Sequence, residues 1–77
     1  MTRKHFIALA EALHANAPSQ NSLAFKVEAQ LFDNIVADVA RVCRESNSRF
    51  NLNRFEIACG LTTVRQILAS IRESLAA

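Results

Sequence analysis

Apolar residues recur along this chain at three- and four-residue steps and never alternate one by one over a stretch, so the pattern predicts helices and no strands. Phe6, Leu9, Ala10 and Leu13 mark one face of a first helix over about 2–15. Thr2 stands where it can cap that helix, with Met1 and Phe6 at staple positions. Ala17-Pro18-Ser19-Gln20-Asn21-Ser22 then breaks the period, because proline and a run of small polar residues favour a loop.

A long second helix is predicted over about 23–45. Phe25, Ala29, Phe32, Val36, Val39 and Cys43 follow one another at alternating four- and three-residue intervals, the seam of a heptad repeat. Leu31, Ile35 and Val42 widen the seam, which predicts a helix buried against two neighbours. The most fully punctuated element comes next, over about 52–59. Asn51 is a favoured N-cap, Phe50 and Phe55 form a hydrophobic staple across it, and Gly60 sits where a left-handed C-cap falls. A fourth helix over about 63–76 opens on Thr63-Val64-Arg65-Gln66, which has the form of a capping box. It carries Val64, Ile67, Leu68, Ile71 and Leu75 on one face and Arg65, Ser70, Arg72 and Glu73 on the other. Short loops join helices two, three and four, so these should be neighbours in space. The expected fold is all-α: a small bundle of four helices in a single domain, residues 1–77.

Composition sharpens this picture. With 51% hydrophobic residues, one Gly and one Pro among 77 residues, few turns are available. A core of this size seldom supplies more than about 3–5 kcal/mol without added support. Apolar faces on helices two and four exceed what one small core encloses, so a homo-oligomer is expected. Nine Lys plus Arg against seven Asp plus Glu leave a net charge of +2, less than a non-specific nucleic-acid binder usually carries on one face. No apolar run approaches the roughly 20 residues that span a bilayer, so no membrane insertion is expected. Cys43 and Cys59 each fall on an apolar helix face and nothing resembles a signal peptide; both are read as buried thiols in a reducing, cytoplasmic setting.

Two blocks, Met1-Thr2-Arg3-Lys4-His5-Phe6 with Ala8-Leu9-Ala10-Glu11 and Asn47-Ser48-Arg49-Phe50-Asn51-Leu52-Asn53-Arg54-Phe55-Glu56-Ile57-Ala58-Cys59-Gly60, resemble the two ends of a family of small, functionally uncharacterised proteins encoded by bacteriophages and prophages. In that family the second block reads Asn-Pro-Arg-Phe-Asp-x-x-Arg-Phe-x-x-Ala-Cys-Gly. Here Ser48 stands at the proline and Asn51 at the aspartate, and both changes preserve the turn and the cap. The resemblance covers roughly half the chain and leaves the helix after Gly60 outside it. It implies a phage or prophage origin, hence the cytoplasm of a bacterial host, and no particular activity.

Candidate chemistry is sparse. No acid/base pair, metal-ligand spacing or glycine-rich phosphate loop is present, so neither an enzyme nor a cofactor is expected. Arg41, Arg44, Arg49 and Arg54 flank the second loop and are candidate binding residues, as are Arg65 and Arg72 on helix four. Asp38 and Glu45 stand close enough in sequence to Arg41 and Arg44 to take up part of that charge. Arg3, Lys4 and His5 crowd a helix start where positive charge is unfavourable, a placement that fits either binding or a solvated end. His14 suits a helix C-terminus, and Cys59 has no basic neighbour to activate it.

The function expected from these features is that of a small phage-type helical protein that binds and modulates a host or phage macromolecule, a protein in preference to DNA. The alternative is a DNA-binding regulator with a degenerate helix-turn-helix around Leu52–Ser70, in which Thr62, Thr63, Arg65, Gln66 and Ser70 face the major groove. The predicted turn between the two helices is of suitable length for the motif, but Glu56 tells against it, since the first helix needs a small residue there.

Overall fold

A computed structural model describes residues 2–76. It contains four helices, α1 (Arg3–Ala15), α2 (Phe25–Ser46), α3 (Leu52–Ala58) and α4 (Leu61–Ala76), and no strand among the described residues. The fold is the expected all-α bundle of four helices. It is elongated, with extents of 44 × 19 × 15 Å. α1 packs chiefly on α3, while α2 packs on α4 and, less extensively, on α3. The core therefore runs along one face of α2 and continues under the turn between α3 and α4.

Each helix start has a local chemical cause. The Thr2 N–H donates to Nδ1 of His5 at 3.1 Å, so His5 takes the role that a glutamate or glutamine plays in a capping box. The predicted Met1 staple and the Leu75 side chain lie outside what is described. α2 begins two residues later than the pattern predicts. Ser22 causes this: its Oγ accepts the Ala24 N–H at 3.2 Å and donates to Glu28, which ties the chain into a turn and leaves Leu23 fully exposed. At α3, Asn51 Oδ1 accepts the Arg54 N–H at 3.0 Å, as the N-cap reading requires.

The fourth helix departs from expectation. The Thr63 capping box is not used, because Gly60 adopts a positive φ of 80° and turns the chain straight into a helix at Leu61. Leu61 enters the core at 1% exposure, and Val64 follows it. Gly60 is doubly constrained: a Cβ there would also come within 2.6 Å of the His14 ring at the end of α1. The turn between α3 and α4 is thus two residues, Cys59 and Gly60, shorter than the three to four of a helix-turn-helix.

The core comprises Ala10, Phe25, Ala29, Phe32, Val36, Ala40, Cys43, Phe55, Cys59, Leu61 and Val64. Phe6, Leu9, Leu13, Val39, Phe50, Ile67, Leu68 and Ile71 pack against it half-buried. The α2 seam is as predicted except that Ala40 is fully buried where Val39 is only partly so. α2 does pack on two neighbours, α4 and α3, but neither covers the wider face. Leu31, Ile35 and Val42 are exposed by 59%, 41% and 50%, because the other helices all pack on the opposite side of α2.

Asn51→Ala removes the α3 cap and should lower stability by about 0.5–2 kcal/mol. Phe55→Ala opens a cavity beneath it and should lower stability by about 3–5 kcal/mol. Chemical denaturation of the two variants checks both values; an unchanged midpoint in Phe55→Ala would contradict the burial of that ring.

Candidate binding cleft

The first surface that concentrates chemistry lies between α1 and α3. Three rings make its wall. Phe50, in the loop before α3, meets Phe55 edge-on with centroids 5.2 Å apart, which is the staple read from the sequence. On its other side Phe50 meets Phe6 of α1 at 5.3 Å, tilted by 59°. Offset and edge-to-face pairs of this kind contribute about 0.5–1.5 kcal/mol beyond the area they bury. Beside the rings, Ile7, Ala10 and Ala58 complete an apolar lining to a cleft of about 340 Å³.

Arg3, Arg49 and Arg54 line the same cleft. None has an ion-pair partner among the described residues. The loop that carries Arg49 is shaped locally: Asn47 Oδ1 accepts the Arg49 N–H at 2.9 Å and the Asn47 carbonyl accepts the Phe50 N–H at 3.0 Å. Arg54 follows from the α3 cap, which fixes its backbone three residues after Asn51. Arg3 opens α1, whose first turn holds no acidic residue to offset it.

The other candidate arginines do not join this group. Arg65 is engaged within the fold: its Nε and Nη2 donate to the two carboxylate oxygens of Asp33 at 3.0 Å each, and its Nη1 lies 3.5 Å from Glu56. The hydrogen bonds to Asp33 hold its pKa above the usual arginine value. Through it α4 is tied to α2 and α3 at once. Since the guanidinium is half exposed, the bridge contributes toward the upper end of about 0.2–1 kcal/mol. Arg41 makes only a 3.8 Å contact with Asp38 on open surface. Arg44 and Arg72 are exposed and lie outside the cleft. From the sequence, the charge of Arg3 at a helix start fits either binding or a solvated end; its place in one cleft with Arg49 and Arg54 depends on α1 packing on α3.

A second surface is the outer face of α2. Val27, Leu31, Ile35 and Val42 recur at steps of four, four and seven residues, so they share one side of the helix, away from the core. No described element covers them.

The cysteines are chemically quiet. Cys43 and Cys59 are free thiols with no exposed surface. Burial pushes the Cys43 pKa up, and burial, then the neighbouring Cys43 and Glu56, push that of Cys59 from 9.0 to about 11. The fold thus favours the neutral thiol of Cys59. Its contribution to stability is complete below the unfolded pKa and is lost as pH climbs from 9.0 toward about 11. The denaturation midpoint should fall across that window, and less steeply in Cys59→Ala. A thiol reagent at neutral pH should label neither cysteine until the chain is unfolded; rapid labelling of the native protein would contradict the burial.

No protein-family model, curated protein or solved structure matches this chain.

Proposed function

We propose that this chain is a small phage-type helical protein that occupies and modulates the surface of a host or phage macromolecule in the bacterial cytoplasm, a protein rather than DNA. The observation that carries the reading is the α1–α3 cleft, where three arginines without an ion-pair partner among the described residues share the lining with apolar side chains. Apolar contact combined with arginine anchors is the composition of protein-binding hot spots. A duplex reader instead projects its cations from a helix that enters a groove. Here Arg65, the cation best placed for that role, is engaged by Asp33 and Glu56, and the α3–α4 turn is short for the motif. Both features weigh against the DNA alternative. No catalytic activity or cofactor is proposed.

We also propose that the outer face of α2 joins a second copy of the chain. The apolar stripe from Val27 to Val42 spans most of a 22-residue helix, about 33 Å long, and an isologous pair needs only that one patch on each subunit.

The test immobilises the full chain and, in parallel, its Arg49→Gln/Arg54→Gln variant, and challenges each with bacterial lysate and with duplex DNA over a salt series. The expected result is a stoichiometric protein retained by the parent chain and lost by the variant. Tight DNA retention that weakens with a log–log slope of about −0.9 per phosphate contact, with no protein recovered, would overturn the reading. Sedimentation equilibrium of the free chain should give a dimer; a monomer of 8.5 kDa would remove the self-association.

A further inference from the structure

We infer that the α1–α3 cleft takes an acidic peptide segment anchored by a large apolar side chain; this rests on the protein-binding reading of the same cleft and names the chemistry of its occupant. The charge of the cleft is unbalanced. Arg3, Arg49 and Arg54 converge on it from a helix start, a loop and a second helix, and no carboxylate among the described residues answers any of them. The only described ion pairs lie elsewhere, at Arg41 and Arg65. Lining one cleft, the three arginines concentrate like charge there, and the cation at Arg3 also opposes the α1 dipole. An anionic occupant relieves both penalties, and guanidinium forks favour carboxylates or phosphates as their partners.

The lining decides between those two partners. Phe55 is buried, and Phe6 and Phe50 are half-buried with their rings set against one another, so the rings offer edges and partial faces rather than a row of open platforms. Single-stranded nucleic acid needs such platforms for successive bases and a groove that follows its backbone. This cleft is instead a single concavity of about 340 Å³, near the lower end for ligand sites, with Ile7, Ala10 and Ala58 among its lining residues. That is room for an aliphatic or aromatic anchor from a peptide, whose flanking carboxylates then reach the arginines.

Fluorescence anisotropy of the full chain with labelled peptides tests the inference. The probe carries a Leu-Phe pair flanked on both sides by glutamates; its controls replace the glutamates with glutamines, or the Leu-Phe pair with alanines, and an oligothymidylate of matching length stands for nucleic acid. The probe alone should bind well. Arg3→Gln, Arg49→Gln and Arg54→Gln should each weaken it by about 10-fold. Arg3→Gln should at the same time raise the melting midpoint of the free protein, a combination that a merely structural residue does not produce. Ile7→Glu, at an exposed lining position, should also abolish binding by placing a carboxylate among the arginines. Equal binding of the alanine control or of the oligothymidylate, or no binding of the probe, would overturn the inference. If the probe fails while the lysate partner is still lost in Arg49→Gln/Arg54→Gln, the protein-binding reading stands and the acidic-peptide inference alone falls.

Discussion

Phe50 is half-buried in a loop, yet it touches two helices. Its ring meets Phe55 on α3 and Phe6 on α1 at nearly equal separations. That double contact adds to the packing of Leu9, Ala10 and Leu13, which set the rest of α1 against the core. Ala10 is the only fully buried residue of α1 among those described, and the helix packs chiefly against α3 rather than along α2. The aromatic chain therefore couples the N-terminal helix to the rest of the bundle. The same three rings line the α1–α3 cleft together with Arg3, Arg49 and Arg54.

Two further contacts reinforce this arrangement from other directions. Gly60, at positive φ, turns the chain from α3 into α4 and leaves just enough room for the His14 ring at the far end of α1. Arg65 then ties the start of α4 to Asp33 on α2 and Glu56 on α3. The aromatic contact and the close approach of His14 to Gly60 lie near the two ends of α1, and the arginine bridge links α4 to both α2 and α3. The proposed function rests on what these contacts leave unused among the described residues: guanidinium groups without carboxylate partners on one side, and an uncovered apolar helix face on another.

Much of this was legible in the sequence because it is local. The α3 cap, its staple and the glycine after it lie within eleven consecutive residues, Phe50 to Gly60, where spacing alone determines who meets whom. The buried seam of α2 was legible for the same reason. What failed depended on distance along the chain or on competition between signals. Thr63 had the form of a cap, but Gly60 three residues earlier begins the helix first. Leu31, Ile35 and Val42 read as core because periodicity reports which residues share a face and not whether anything covers it. Arg65 reads from the sequence as a candidate binding residue because its partner Asp33 lies 32 residues away. Arg3 belongs with Arg49 and Arg54 only after α1 has docked, a relation no local pattern encodes.

The claim that an aromatic chain holds α1 in place is tested most directly by a double-mutant cycle on Phe6→Leu and Phe50→Leu, read by chemical denaturation. Rings in contact should be coupled, so the double variant should lose less stability than the two single losses added, with an interaction of about 0.5–1.5 kcal/mol. Strict additivity of the two losses would mean that the rings stabilise the fold independently, and that α1 is held by something other than Phe50.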